Sequence, residues 1–221
     1  MGKVFHNKGN IMLDNYKQLD NGVIKQVNIT SKVDYNEAYI ENSYNTYGTN
    51  GTKLAHLRLG FLLGLIHNHD SIIDVGYGNG DFLDACTNTF SQCYGNDISE
   101  YKLPDTCDYI SYDDMLKKEV DVITFFDSLE HFEDISFVKD LKAKYILISV
   151  PWCHYKSDKW FDDWKHRRPD EHLWHFNEKS LCEFMKENGY INKKTSNIED
   201  IIRKTEKNEY NILTVLFERV K

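Results

Sequence analysis

Proline is scarce, with three residues in a chain of 221. That excludes collagen-like and proline-rich linker architectures. Paired cysteine motifs are absent. The five cysteines, Cys86, Cys93, Cys107, Cys153 and Cys182, make an odd count with no Cys-x-x-Cys, which argues against a disulfide framework or a zinc ribbon and for a reducing, cytoplasmic setting. Long apolar runs are also missing. None approaches the roughly 20 residues of a membrane span, and Met1 to Asn10 lacks the apolar core of a secretory signal, so no membrane is expected. Finally, there is no basic excess. Lys and Arg number 27 against 35 Asp and Glu, for a net charge of -8. The segment from His67 to Val150 holds 17 acids and 6 bases, while the flanks are near neutral. A protein that coats a nucleic-acid duplex carries a basic face. This chain does not, although an RNA end or a nucleotide stays open as a partner.

What is present suits one globular domain with an appendage. Residues 1–53 read as an N-terminal arm or cap: a polar stretch with the turn signal Asp20-Asn21-Gly22, the alternating run Val23 to Ile29, then Tyr35, Tyr39, Tyr44 and Tyr47. From Leu54 to Ile66 apolar residues recur with helical period. Short apolar strands follow at Ser71–Val75, Cys93–Asp97, Asp108–Tyr112, Val120–Phe126 and Tyr145–Val150, the last stopped by Pro151. Helices are expected at Phe82–Phe90, Phe137–Leu141 and Glu178–Asn188, the last ended by Gly189, before a strand-like run from Asn211 to Val220. Strands alternating with helices imply a mostly parallel α/β sheet covered on both faces. Residues 54–221 are expected to form that domain.

The segment Asp74-Val75-Gly76-Tyr77-Gly78-Asn79-Gly80-Asp81 sits where a strand hands over to a helix. Gly76 and Gly78 permit a tight turn with a ligand against the backbone, and Gly80 permits close helix packing. Asp97 ends the next strand, where an acid can accept both hydroxyls of a ribose. A pyrophosphate wants no carboxylate nearby, yet Asp74 and Asp81 flank this loop. The acids suit a cationic ligand, and they disfavour a nicotinamide enzyme. The bland reading is an ordinary strand-to-helix turn.

On these residues the chain resembles the class I S-adenosylmethionine-dependent methyltransferases. Asp74 to Gly80 looks like their first motif and Asp97 like their ribose-binding acid. The resemblance implies a Rossmann-like sheet of seven strands with helices on both faces, the last strand antiparallel and inserted beside the fifth. It implies S-adenosyl-L-methionine as cofactor. By the same likeness Asp113, or its neighbour Asp114, meets the adenine amino group, and Ile98 packs on the adenine ring. Arg58, on the helix before the first strand, corresponds to a basic residue that can hold the methionine carboxylate; the bland reading is an exposed helix arginine.

After the fourth expected strand comes Asp127-Ser128-Leu129-Glu130-His131, at the strand end beside the cofactor crevice. It resembles the L-E-H motif of the ubiquinone-biosynthesis O-methyltransferase type, and also the small-RNA 3′-terminal 2′-O-methyltransferases. There the pattern E-x-x-E-H, with a later histidine, is associated with a divalent metal. Asp127 stands for the first Glu, Glu130 and His131 match, and His172 falls at the later histidine. Asp127, Glu130, His131 and His172 are therefore candidate ligands for Mg or Mn, which would lower the pKa of an acceptor hydroxyl. His131 or His172 as general base is the equal alternative, and a structural role for the set is the third. Glu130, His131 and His172 are the candidate catalytic residues. Asp127 also borders the expected cofactor site.

All four tryptophans lie between Trp152 and Trp174, with His154, His166, His172 and His175 alongside. The segment reads either as aromatics packed over the sheet's end or as an acceptor-binding lid. Without a matching cysteine pair, structural zinc is disfavoured. Lys165-His166-Arg167-Arg168 reads as a solvated, salt-bridged loop before it reads as a phosphate site. The expected activity is methyl transfer to a hydroxyl of a small-molecule acceptor. The alternatives are 2′-O-methylation of RNA or a nucleotide, or S-adenosylmethionine binding without turnover. Nothing in the sequence sets an oligomeric state.

Overall fold

The computed structural model describes residues 14–34, 49–67, 69–99, 101–204 and 209–220. Tyr35, Tyr39, Tyr44 and Tyr47, read above as part of the arm, lie outside them. The chain begins with a hairpin of β1 (Tyr16–Gln18) and β2 (Ile24–Gln26). Its turn uses Gly22 at φ 86°, a left-handed conformation that favours glycine. Helix α1 (Thr49–Leu63) starts before the expected Leu54. The units β3 (Ser71–Val75), α2 (Asp81–Cys86), β4 (Gln92–Asn96), β5 (Asp108–Tyr109), α3 (Tyr112–Met115) and β6 (Glu119–Phe126) follow. Two short 3-10 segments, Leu129–His131 and Ser136–Asp140, lead into β7 (Lys142–Pro151). The remainder is α4 (Asp158–Asp162), β8 (Trp174–His175), α5 (Glu178–Glu187), β9 (Tyr190–Ser196), a 3-10 turn at Ile198–Ile201, and β10 (Ile212–Arg219).

Seven strands form one sheet in the order β5-β4-β3-β6-β7-β10-β9. β3 pairs in parallel with β4 and β6, β6 in parallel with β7, and β10 runs antiparallel between β7 and β9. This is the Rossmann-like order expected, with the terminal strand reversed beside β7. Strand order changes direction between β3 and β6, so the crevice outside their carboxyl ends is where a ligand binds in such sheets. The β3, β6 and β7 interiors are apolar on both faces, with Ile72, Ile73, Val122, Ile123, Ile146 and Leu147 fully buried. That is the signature of strands covered on both sides.

Three elements depart from the sequence expectation. β5 stops after two residues, because Ser111 caps α3 by accepting from the Asp114 N–H. The expected helix at Phe137–Leu141 is a 3-10 turn. β9 carries the polar run Ile191-Asn192-Lys193-Lys194 on an exposed sheet edge, where charge is tolerated and apolar alternation is not required. The hairpin is joined to the body. β2 pairs with β8, and Val23 lies in the main core. Asp170, at φ 65°, accepts from Gln26 Nε2 and from both the backbone N–H and hydroxyl of Thr30 and Ser31.

Candidate active site

The glycine turn follows β3. Gly76, Gly78 and Gly80 take φ of 78°, 56° and 80°, all in the left-handed region where a side chain is strained. Gly76 has a second reason to lack one. A Cβ there would stand 2.5 Å from the Ser128 Cβ, and Ser128 Oγ donates to the Val75 carbonyl at 2.6 Å. The turn thus packs directly on the start of the Leu129–His131 segment. Gly78 N–H donates to Asp97 Oδ2 at 2.9 Å, and Ser99 N–H to Oδ1 at 2.8 Å. Two backbone donors aim this carboxylate and leave it lone pairs for two vicinal hydroxyls. The neighbouring Ile98 is 77% exposed. Asp113 is exposed in the first turn of α3, whereas Asp114 accepts from the capping Ser111 Oγ at 2.6 Å. Asp113 is therefore the acid of the pair outside that cap.

Asp74 is buried in β3 and accepts from Thr124 Oγ1 at 2.6 Å. Burial pushes its carboxyl up to about 7, against the pull of Thr124 and the Arg58 charge. A cation arriving at the turn would favour the ionised form.

Directly after β6 comes Asp127, a non-glycine residue at φ 50°. Its Oδ2 accepts from Arg203 Nη1 at 2.6 Å and from Arg58 Nη2 at 3.4 Å. Glu199, fully buried, accepts from Arg58 Nε at 2.7 Å and Nη2 at 3.0 Å, and from Arg203 Nη1 at 3.1 Å. Burial opposes ionisation of Asp127, but the two guanidiniums outweigh it and hold the carboxyl well below the ordinary range. This square of two acids and two arginines corrects two expectations. Asp127 does not join the candidate metal ligands, because its carboxylate is turned to the arginines. Arg58 is not an exposed helix residue: its side chain is only 11% exposed, in bidentate contact with Glu199, and lies 4.1 Å over the Phe126 ring.

The candidate ligand atoms of Glu130, His131 and His172 lie within 4.8 Å of one another, and among the described residues no other such group occurs. No cysteine belongs to it. The imidazoles of His131 and His172 meet edge to face, with centroids 4.7 Å apart. His172 Nδ1 lies 2.7 Å from the His166 carbonyl, which commits Nδ1 as donor and leaves Nε2 as acceptor. A hydrogen bond to the Asp127 backbone favours the charged form of His131 only weakly, the least of the influences on it. Burial, and then the His131 charge, would push His172 down to about 4, and burial also lowers His131. Both are neutral near pH 7. Glu130 is buried with neither side-chain oxygen hydrogen-bonded, and burial, reinforced by Asp127, raises its carboxyl well above the usual range. The donor set fits a divalent cation: a buried carboxylate lacking partners is what a cation satisfies. Two imidazoles to one carboxylate suit manganese or a later transition ion better than magnesium.

The aromatic segment builds a satellite core, in which Phe161, Cys153 and Tyr16 of the hairpin pack with Tyr155, Trp160 and Trp164. Trp174 is buried and donates to the Phe132 carbonyl. The basic cluster is engaged locally, Arg167 with Asp162 at 2.9 Å and Arg168 with Glu171 at 2.8 Å. A groove of about 440 Å³ between the hairpin and α5, lined by Asp20, Lys179 and Glu183 among others, contains none of the residues of the glycine turn or the histidine pair. Sequence reasoning missed Glu199, Arg203 and Asn211. Their one signal is the four-residue spacing of Glu199 and Arg203, a common pattern for an exposed ion pair.

A switch-point crevice with a left-handed glycine turn, a ribose-type acid and an acid-flanked loop defines a class I S-adenosylmethionine-dependent methyltransferase. Residues 47–194 match the family described as "Methyltransferase domain", and the chain belongs to that family. No curated protein sequence matches it. Among solved structures, it resembles a methyltransferase in complex with the Haloferax volcanii Trm112 activator, at 13% identity and TM-score 0.62, covering 86% of this chain and 100% of that one. It also resembles the Synechocystis PCC 6803 magnesium protoporphyrin IX methyltransferase with bound SAH, at 14% identity and TM-score 0.57, covering 84% and 96%. A third is a Clostridium acetobutylicum S-adenosylmethionine-dependent methyltransferase, at 12% identity and TM-score 0.55, covering 83% and 98%. Among the described residues, no helix is long and apolar enough to cross a membrane.

Proposed function

We propose that the chain transfers the sulfonium methyl of S-adenosylmethionine to a hydroxyl oxygen of a small-molecule acceptor. The observation that carries this is the neutral His131–His172 pair beside Glu130, immediately after the glycine-turn contact at Ser128. The acceptor oxygen attacks the methyl carbon in line. The O–CH3 bond forms as the S–CH3 bond breaks, its electron pair returning to sulfur. The hydroxyl proton passes to an imidazole nitrogen, giving a methyl ether and S-adenosylhomocysteine. Orientation and exclusion of water supply most of the acceleration, and a neutral imidazole supplies the base.

In this reading Asp97 takes the ribose hydroxyls, Ile98 and Asp113 the adenine, and the Gly76–Gly80 backbone and Asp74 the methionine end. Arg58 borders that end from α1 with its charge shared by Glu199. A cation held by Glu130, His131 and His172 would lower the pKa of an acceptor hydroxyl. The L-E-H likeness to the ubiquinone-type O-methyltransferases supports a small acceptor, as does the net charge of -8. The hairpin segment, residues 14–34, serves as a cap on the catalytic domain. The test is a methyl-transfer screen of phenols, catechols and vicinal diols with labelled cofactor. O-methylated product from wild type, lost in His131→Ala and His172→Ala, is expected. Product confined to nitrogen nucleophiles contradicts the reading.

A further inference from the structure

We propose that Arg203 is a positioning residue for the His131–His172 pair, an inference that rests on reading the pair as the acceptor-activating group. Two separate relays, each through intermediate residues, connect Arg203 to the two imidazoles. In the first, the guanidinium donates to Asp127 Oδ2 at 2.6 Å, and Asp127, four residues before His131 on the same turn, is a backbone hydrogen-bond partner of the imidazole. In the second, the Arg203 carbonyl accepts from Asn211 Nδ2 at 2.7 Å. Asn211 Oδ1 lies 2.8 Å from His166 Nε2, and the His166 carbonyl lies 2.7 Å from His172 Nδ1. One residue, carried on the connection between β9 and β10, thereby sets the tilt of His131 and the tautomer of His172.

The connection is itself fixed at both ends. Asp200 accepts from the backbone N–H of Asn211 and of Ile212, each at 3.0 Å. Glu199 is buried against Arg58 of α1. Arginine is needed at 203 because its guanidinium meets Asp127 and Glu199 together. Both contacts come from the one nitrogen Nη1, and a lysine ammonium, one bond shorter from the backbone, does not reach the two acids in the same geometry. Asp127 also stands at the strand end beside the cofactor turn. Cofactor binding and imidazole orientation therefore share one side chain.

The test is imidazole nitrogen–proton correlation spectroscopy at fixed pH 7.5 on metal-free protein with chelator, with neither cofactor nor acceptor present. Exposed His56, bonded within α1, is the internal reference. Wild type is expected to show His172 as the Nδ1–H tautomer. Arg203→Met moves the His131 signal through Asp127, and moves His172 because loss of the guanidinium's hold on Asp127 and Glu199 displaces the Arg203 carbonyl that Asn211 meets; Asn211→Leu moves His172 alone. The His172 tautomer ratio changes about fivefold to tenfold, the scale of one lost hydrogen bond. Arg203→Lys, which keeps the charge between the two acids and the fold, moves both signals in the same direction. Unchanged His131 and His172 signals in folded Arg203→Lys or Arg203→Met overturn the proposal, as does an Asn211→Leu variant in which His172 stays put. A wild type that transfers no methyl to oxygen speaks against the function instead, since these spectra need no turnover.

Discussion

Arg203 meets the Asp127 carboxylate at 2.6 Å from 76 residues further along the chain. The end of the central strand β6 is thus neutralised by the connection that closes the sheet's far edge. Asp127 keeps a left-handed backbone there, a conformation that costs of order 1–3 kcal/mol in a non-glycine residue and persists where surroundings over-determine it. The ion-paired square is that surrounding.

Removing one corner of the square leaves buried charge uncompensated. Glu199→Gln, which strands Arg58 and Arg203, is expected to destabilise the fold by about 3–5 kcal/mol. Urea unfolding at pH 7 checks this. A loss under 1 kcal/mol would show that solvent reaches the square.

Asp74 works in the opposite sense. Its carboxyl is raised to about 7 in the folded chain and is ordinary when unfolded. The folded state therefore binds the extra proton, and stability from this group falls as pH rises from about 4 to 7. Asp74→Asn keeps the Thr124 hydrogen bond and removes that cost. It is expected to stabilise the free protein at pH 7 by about 2–4 kcal/mol while weakening S-adenosylmethionine binding. Paired thermal melts and titrations test both halves; lower stability of the variant at pH 7 contradicts the assignment.

The histidines make the chain acid-labile. His166 and His172 are pushed down to about 4, and His131 and His175 are also lowered, with burial the first cause in each. Unfolding restores an ordinary value near 6.5, so the unfolded chain takes up protons as pH falls from 6.5 toward 4, and stability drops across that window. Asp74 and Glu130 oppose this, but four groups outnumber two. Urea unfolding at pH 7, 6 and 5 should show falling stability, with a shallower slope in His172→Gln. Rising stability toward pH 5 would refute the count.

Metal binding separates Glu130 from Asp127. Manganese titration followed by electron paramagnetic resonance should show affinity in the wild type. Glu130→Gln should lose at least about tenfold, as removal of the group's carboxylate requires. Asp127→Asn should stay within about fivefold, because its carboxylate faces the arginines. Equal losses would return Asp127 to the ligand set.

Much of this was legible in the sequence. The strand–glycine–helix unit at 71–86 and the acid at Asp97 are local patterns, and the sheet order was expected from the family resemblance they carry. Glu130, His131 and His172 were legible as a group through the likeness to the E-x-x-E-H pattern with its later histidine, which also drew in Asp127. Glu199, Arg203 and Asn211 were not, because nothing local in a polar stretch shows that its acid will be fully buried. Burial of Arg58 was hidden for the same reason: its partner lies 141 residues away. β9 escaped because an edge strand needs no apolar alternation.

The account rests on a cofactor site at Gly76–Gly80 and Asp97, and calorimetric titration of S-adenosylhomocysteine tests it most directly. Wild type should bind in the micromolar range. Asp97→Ala should bind about thirtyfold more weakly, the loss of about 2 kcal/mol expected when hydrogen bonds to a charged group are removed. A folded wild-type protein that gives no binding, or binds equally well without Asp97, would contradict it.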